Sequence, residues 1–186
     1  RVKEVQAEID FIQSRKADCF LLYDLLDEGV LPLRVTHNDT KLNNIMFDSQ
    51  TKEPLCIVDL DTVMPGLVLF DFGDSIRFGA NDCAEDEPDL SKVNFDFDLY
   101  ETYVKGFIEG TNGILTEAEL EYLPWGARVI TLEQGIRFLT DYINGDVYYQ
   151  TNRPGQNLDR ARTQLKLVQD MENSWDQMVQ AVQNMK

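Results

Sequence analysis

The stretch of sequence that decides the fold covers residues 36–62 and reads THNDTKLNNIMFDSQTKEPLCIVDLDT. It opens with a polar loop and continues into two short apolar runs, residues 45–47 and 55–58, which are separated by the polar sequence DSQTKEP. Apolar runs of this length on either side of a polar turn predict the two strands of a β-hairpin. Because a hairpin folds the chain back, we expect the residue after the second strand to lie near the residue before the first.

The rest of the chain has the apolar periodicity of helices. Apolar side chains recur at three- and four-residue steps, and Thr116 and Glu119 have the spacing of a capping box that opens a helix. Helices are predicted at residues 2–27, 71–78, 95–109, 116–144 (with a break or kink at Pro124) and 157–183, and a strand at 33–35. Without βαβ alternation, the pattern argues against a doubly wound sheet. The predicted fold class is α+β, mainly helical, in one domain of residues 1–186, with a loop and hairpin at 33–63 and a helical subdomain at 71–186.

Charge and composition narrow the range of partners. The chain has 33 acidic and 17 basic residues and a formal charge of -16, which repels phosphate backbones and anionic lipid. No apolar stretch approaches the roughly 20 residues that a membrane span needs. The three cysteines lack C-x-x-C spacing, so we expect no disulfide framework and a reducing, cytoplasmic location. Neither nucleic acid nor a membrane is an expected partner.

The polar residues of the stretch follow a set order. His37-x-Asp39 is followed five residues later by Asn44, and Asp59 and Asp61 come after the second apolar run. Kinase catalytic loops have this H-x-D-x-x-x-x-N spacing, in which a carboxylate orients the attacking hydroxyl and hard oxygen ligands hold Mg²⁺. We therefore predict Asp39 as the catalytic carboxylate and Asn44 and Asp59 as metal ligands. Asp61 is either a further ligand or a group that supports one, and His37 is expected to brace the loop.

Two other motifs compete with this interpretation. Asp71-Phe72-Gly73 spells the metal-binding DFG of protein kinases, but it lies well beyond the hairpin, whereas Asp59 follows the second strand directly. We therefore expect Asp71 to be a structural residue at the start of a helix. Residues 59–63, DLDTV, resemble the D-x-D-x-T nucleophile motif of haloacid-dehalogenase-type phosphatases, and D-x-D also occurs in sugar-nucleotide glycosyltransferases. Both classes carry their motif on an α/β sheet, so they remain the less favoured alternatives.

The same residues resemble a known family. H-x-D-x-x-x-x-N followed by a V-D segment is the hallmark of the aminoglycoside phosphotransferase-like kinases. Within that family, HNDTKLNN, VDLDTVMPG and FDFGDSIR resemble the branch that contains N-acetylhexosamine 1-kinases. The similarity continues through TLEQGIRFLTDYINGDVYY and RPGQNLDRARTQL, so it covers most of residues 35–165.

The resemblance implies a particular part of a larger fold. The family has two lobes, a small β-rich lobe that binds ATP and a larger helical lobe that holds the catalytic and sugar sites. Residues 1–186 contain no glycine-rich strand-turn-strand and no strand lysine with a helix glutamate, and the chain starts at Arg1 rather than Met. We therefore expect the C-terminal lobe of a kinase-like fold without its N-terminal ATP lobe. Mg²⁺ and ATP are the expected cofactors, the N-terminal lobe is an expected partner, and this chain alone is expected to be inactive.

For the acceptor, the resemblance implies the anomeric hydroxyl of an N-acetylhexosamine, with Thr62, Arg137 and Tyr148 as substrate-binding residues. A different sugar, an amino alcohol such as choline, or an aminoglycoside stays open. A non-catalytic module that binds a sugar or a protein is the alternative from another functional class. Relatives of this branch also carry labels linked to mucin-sugar desulfation, but the chain has no C-x-P-x-R or S-x-P-x-R sulfatase motif.

Overall fold

The computed structural model describes residues 1–185 and confirms a mainly helical α+β fold. The helices are α1 (Gln6–Gln13), α2 (Asp18–Asp27), α3 (Val68–Gly79), α4 (Phe97–Gly110), α5 (Glu117–Asn144), α6 (Gln156–Asn173) and α7 (Trp175–Gln183). The strands are β1 (Arg34–Thr36), β2 (Ile45–Phe47), β3 (Pro54–Ile57) and β4 (Met64–Gly66). Among these helices none is both long and apolar enough to cross a membrane. Residue 186, the end of the predicted helical subdomain, lies outside the described residues.

Helix α5 is the central element of the helical part. Its buried face packs against α3, α4 and α7 along one stretch and against α1 and α6 along another. The helix begins at the predicted capping box, in which the Thr116 hydroxyl accepts the backbone N–H of Glu119, and it ends at Gly145, whose φ of 101° is left-handed. Pro124 is buried inside α5 and does not break it.

The predicted hairpin is confirmed. Strand β2 pairs antiparallel with β3, which places Ile45 opposite Ile57. Just beyond the strands, the backbone N–H of Val58 donates to the carbonyl of Asn44 at 2.9 Å. The chain therefore returns to the loop at the point where Asp59 begins.

A second pair of strands corrects the sequence interpretation. The pattern does not predict β4, because Pro65-Gly66 is a turn signal. The structure pairs β1 antiparallel with β4 and places Val35 opposite Pro65. Proline is tolerated there because both members of a two-stranded sheet are edge strands. Gly66 permits the close approach, since a Cβ at this position would lie 2.4 Å from the hydroxyl oxygen of Thr36.

Three predicted helices have different limits in the structure. The predicted helix 2–27 is divided into α1 and α2 by a tight turn at residues 14–17, and Arg15 in that turn bonds twice to Glu172 of α6, at 2.8 and 2.6 Å. The helix predicted at 71–78 begins earlier, at Val68. The helix predicted at 157–183 divides at Ser174 into α6 and α7. Apolar periodicity does not reveal these breaks, because apolar side chains recur on both sides of each break.

Helices α3 and α5 touch backbone to backbone. A Cβ on Gly73 would lie 2.3 Å from the carbonyl oxygen of Gly126, and a Cβ on Gly126 would lie 2.2 Å from the carbonyl oxygen of Leu69. Both distances are shorter than any real carbon–oxygen contact, so only glycine fits at either position. These two glycines therefore set the distance between the helix that carries Asp71 and the helix that carries Arg137.

This close contact predicts opposite effects for two glycine-to-alanine variants. Gly126→Ala should lower the free energy of unfolding by about 1–3 kcal/mol, because the added methyl group forces α3 and α5 apart. Gly106→Ala, inside α4, is the matched control, since a Cβ there meets nothing within 4 Å. It should raise the free energy of unfolding by roughly 0.5–1 kcal/mol through helix propensity. Urea denaturation measures both, and equal stabilities would contradict the close contact.

Candidate active site

The loop that carries Asp39 is anchored to α3 through Asp71. The Asp71 carboxylate accepts the backbone N–H of His37 at 2.8 Å and that of Asn38 at 2.7 Å. The Thr40 hydroxyl donates to the Asp71 carbonyl oxygen at 2.6 Å. Burial raises the pKa of the Asp71 carboxyl above its ordinary value, although the two backbone N–H groups act in the opposite direction. Asp71 lies in the first turn of α3 and not at its cap, and its contacts fix the loop backbone to that helix.

The other side of the loop is held by residues that follow β3. His37 Nε2 lies 3.1 Å from the carbonyl oxygen of Val58, and since a carbonyl only accepts, Nε2 carries the hydrogen. Nδ1 is buried without a hydrogen-bond partner among the described residues. The Thr62 hydroxyl donates to the His37 carbonyl oxygen at 2.7 Å. Thr62 therefore has only oxygen lone pairs left for a ligand.

Asn38 is a loop residue that the sequence analysis did not select. Its backbone is left-handed, with a φ of 64°, which asparagine tolerates better than most residues do. Its amide donates to the Thr62 carbonyl oxygen at 3.0 Å and accepts the Thr36 hydroxyl at 2.9 Å. The signal was present in the sequence, because an asparagine between His37 and Asp39 suits a sharp turn.

Asp39 is held by two neighbouring donors. Lys41 Nζ donates to its Oδ2 at 2.7 Å, and Asn44 Nδ2 donates to the same oxygen at 2.9 Å. Burial alone would raise the pKa of Asp39, but the hydrogen bonds from Lys41 and Asn44 outweigh it and leave the pKa below its ordinary value. Asp39 is therefore ionised at neutral pH. Both side-chain bonds use Oδ2, which leaves Oδ1 for a hydroxyl of a ligand.

The predicted metal ligands lie at the end of the hairpin. Asn44 is only 6% exposed, and its bonds to Asp39 use the amide nitrogen, which leaves the amide oxygen as the atom that could bind a cation. Asp59 is exposed and has a left-handed φ of 65°, and Asp61 is exposed in the short turn that follows. Within residues 1–185 no group of three His, Cys, Asp or Glu side chains converges on a metal position. One amide oxygen with one or two carboxylates is the partial donor set with which proteins hold Mg²⁺ beside phosphates.

Asp39 borders a cleft of about 250 Å³ between the loop, α2, α3 and α5. The side chains that matter for its chemistry are Tyr23, Phe70, Asp74, Arg77 and Arg137. The rings of Tyr23 and Phe70 lie 5.6 Å apart and supply an apolar wall. The charged groups supply hydrogen-bond donors and acceptors. An aromatic wall facing charged side chains suits a small polyhydroxylated molecule.

The ion pair of Asp74 with the buried Arg77 is a feature of this cleft that the sequence pattern did not assign to the site. Arg77 is 9% exposed and lies 2.9 Å from Asp74 and 3.0 Å from Glu85. Asp74 and Arg77 are three residues apart in α3, so they lie on one face of the helix. Asp71 precedes Asp74 by three residues and therefore lies on the same face. This three-residue spacing in the sequence is the signal that could have identified Asp74 and Arg77.

The structure brings Arg137 to the cleft but leaves Tyr148 outside it. The Arg137 guanidinium lies at the cleft's edge, 5.7 Å from the centre of the Tyr149 ring. Tyr148 is 74% exposed and lines an adjoining groove of about 410 Å³, to which Arg137 also contributes. Arg137 thus borders both spaces, and Tyr148 borders only the second.

A larger groove of about 630 Å³ lies between α3 and α4, on the far side of the loop at Thr40. Its lining is apolar, with Ile76 and Phe107 among its side chains, and it includes no carboxylate and no arginine. Neither the aromatic wall nor the free Oδ1 of Asp39 belongs to it. The smaller cleft is therefore the candidate site for a polar ligand.

The loop and hairpin have a counterpart among known proteins. Residues 4–103 match the model of the phosphotransferase enzyme family, APH. This match covers more than half of the chain, and the chain belongs to that family. The predicted relationship to aminoglycoside phosphotransferase-like, kinase-like enzymes is thereby confirmed at the level of the family. The match includes Asp39, Asn44 and Asp59 and ends within α4, so Arg137 and Tyr148 lie beyond it.

The contact between Lys41 and Asp39 predicts a measurable change in acidity. Lys41→Met should raise the pKa of Asp39, because the variant removes the ammonium group that stabilises the ionised carboxylate while burial persists. Carboxyl-detected NMR titration of the chain gives the pKa without any need for activity. Lys105→Met, which removes an exposed lysine of α4, is the control and should leave the pKa of Asp39 unchanged. Identical titration curves for the two variants would show that Lys41 does not hold Asp39.

Proposed function

We propose that this chain is the helical C-terminal lobe of an ATP- and Mg²⁺-dependent kinase that phosphorylates a hydroxyl of a sugar. The observation that carries the proposal is the position of Asp39. Its carboxylate is kept ionised at the edge of a small polar cleft, with Oδ1 free and with Asn44 bonded to Oδ2. Membership of the phosphotransferase family supports the reaction class.

Asp39 acts on the attacking hydroxyl. Oδ1 accepts its hydrogen bond and holds the oxygen lone pair toward the phosphate, and the carboxylate receives the proton as the new bond forms. His37 and Asp71 fix the loop backbone from two sides, so the carboxylate does not need to move. Lys41 keeps the charge on Asp39.

Asn44 and Asp59 are the proposed metal ligands. Bound Mg²⁺ would neutralise negative charge on the triphosphate. The amide oxygen of Asn44 and the carboxylate of Asp59 would hold the ion, and Asp61 is either a further ligand or a support for one. The exposed position of Asp59 and Asp61 leaves room for the waters that Mg²⁺ keeps.

The proposed acceptor is an N-acetylhexosamine that presents its anomeric hydroxyl to Asp39. The aromatic wall of Tyr23 and Phe70 can pack against a sugar ring. Arg137 can donate two hydrogen bonds to ring hydroxyls or to the amide carbonyl. The Thr62 hydroxyl can only accept hydrogen bonds from the sugar, because its own hydrogen is donated to His37. Tyr148 would contact the part of the acceptor that extends past Arg137 into the adjoining groove.

A second, nucleotide-binding lobe is the proposed partner of this chain. Ten large apolar side chains within residues 33–64 are exposed: Leu33, Val35, Leu42, Met46, Phe47, Leu55, Ile57, Leu60, Val63 and Met64. A concentration of this kind on a soluble protein marks a surface that another domain covers. Because it surrounds the catalytic loop and the hairpin, a lobe that covers it would also place ATP beside Asp59.

Replacement of Asp39 tests the catalytic assignment. Asp39→Asn in the full-length protein should reduce kcat by roughly two to four orders of magnitude, because the amide neither takes the proton nor carries the charge. Asp48→Asn is the matched control. Asp48 accepts two backbone N–H groups in the hairpin turn at 2.8 Å, and asparagine makes the same turn. Retained activity in Asp39→Asn, with both variants folded by circular dichroism, would remove Asp39 from the mechanism.

The acceptor class is tested by a panel of hydroxyl compounds. The full-length protein is assayed with ATP and Mg²⁺ against N-acetylhexosamines, hexoses, choline and an aminoglycoside, and we expect the highest kcat/KM for an N-acetylhexosamine. The chain 1–186 alone should show no transfer. The absence of transfer to every hexose and hexosamine would refute a sugar kinase. Tight sugar binding by the chain without nucleotide would favour the non-catalytic module instead.

A further inference from the structure

Asp141, near the end of α5, is a buried carboxylate with an unusual set of partners. It is 4% exposed. Its two oxygens accept the backbone N–H groups of three consecutive residues, Val147 at 2.9 Å, Tyr148 at 2.8 Å and Tyr149 at 2.9 Å. A fourth bond comes from the side-chain amide of Asn157 in α6, at 2.8 Å. One side chain thus fixes the backbone of residues 147–149, which follow α5.

The segment held in this way carries exposed side chains. Val147 is 78% exposed and Tyr148 is 74% exposed, so burial of their own side chains does not hold them. Two residues with left-handed backbone conformations, Gly145 and Asp146, connect α5 to this segment. Its apolar contact comes mainly from Tyr149, which packs against Phe138, so the hydrogen bonds to Asp141 are the main constraint on the backbone of Val147 and Tyr148.

The fixed segment also supports the edge of the cleft. The Tyr149 ring lies 4.7 Å from that of Phe138 and 5.7 Å from the Arg137 guanidinium, and its hydroxyl is 3.2 Å from Gln134 Nε2. The Tyr148 ring packs edge-on against Tyr149 at 4.8 Å. The position of Arg137 at the cleft is therefore linked through Tyr149 to Asp141.

We infer that Asp141 is a positioning residue for acceptor binding: by holding the backbone of residues 147–149 it places Tyr148 and Tyr149 beside Arg137. This inference rests on the proposed function, because it assigns the Arg137 end of the cleft to the sugar. Both oxygens of Asp141 are used by the segment and by Asn157, and Asp141 lines the adjoining groove but not the cleft that Asp39 borders. Its loss should therefore affect binding of the acceptor and not the transfer step.

Asp141→Asn in the full-length protein tests the inference. The amide presents N–H groups toward backbone N–H donors, so at least one of the three segment bonds is lost. We expect KM for the sugar to rise roughly tenfold to a hundredfold, while kcat and KM for ATP stay nearly unchanged. Asp176→Asn, at an exposed aspartate of α7, is the control and should alter none of these values. A general loss of structure would instead lower kcat or change KM for ATP, and that result overturns the inference.

A second set of variants tests the inference even if Asp141→Asn does not fold. Tyr149→Leu should raise KM for the sugar in the same way, because Arg137 loses the ring beside it. Tyr149→Phe keeps the ring and should retain most of the wild-type KM. Equal KM values for the leucine, phenylalanine and wild-type proteins would overturn the inference.

Hydrogen exchange separates this inference from the proposed function. In the wild-type chain the amides of residues 147–149 should be protected, and Asp141→Asn should speed exchange of at least one of them while the amides of α5 and α6 stay protected. If these amides exchange freely in the wild type, Asp141 does not hold the segment and the inference fails. If they are protected but no acceptor is phosphorylated, the proposed function fails, and the acceptor role of Asp141 fails with it.

Discussion

The geometry of the site depends on two hydrogen bonds from the loop backbone to the Asp71 carboxylate. They are made by consecutive N–H groups, those of His37 and Asn38, so they fix both the position and the direction of the chain immediately before Asp39. Hydrogen bonds to a charged acceptor contribute about 1.5–3 kcal/mol each. The loop is otherwise flanked by strands β1 and β2, which have three residues each. Strands this short contribute little stability by themselves.

Helix α3 connects the loop held by Asp71 to the rest of the cleft. Two residues after Asp71, Gly73 lies against Gly126, so α3 and α5 have one permitted separation. Arg137 is three turns further along α5 and inherits that separation. The DFG spelling in α3 is thus explained without metal binding, because Asp71 binds backbone N–H groups, Phe72 is fully buried, and Gly73 makes the helix contact.

Sequence reasoning works here where the determinants are local. The spacing from His37 to Asn44 and the two apolar runs predict the loop and hairpin, because a hairpin is specified by its own strands and turn. Strand β4 escapes prediction because its partner β1 is 30 residues earlier, with Val35 opposite Pro65. Asp141 escapes for a similar reason. In DYINGDVYY it reads as a surface acid of a helix, and only the later Asn157 in α6 and the returning segment bury it. The breaks in the predicted helices likewise depend on contacts with distant helices.

The pKa values of Asp39 and Asp71 are shifted in opposite directions by the surroundings of the two residues. Burial raises the pKa of Asp71, whereas Lys41 and Asn44 overcome burial and lower the pKa of Asp39. A low pKa makes Asp39 a weak base, which suits phosphoryl transfer. In its loose transition state the attacking hydroxyl keeps most of its proton until the new bond is nearly formed. What the reaction needs early is an ionised oxygen that accepts one hydrogen bond in a fixed direction. Asp71 has no oxygen without a hydrogen bond, because each of its two oxygens already accepts a backbone N–H group, whereas Asp39 Oδ1 has none from Lys41 or Asn44. The different surroundings of the two residues therefore fit the proposed mechanism, in which Asp71 orients the loop and Asp39 orients the acceptor.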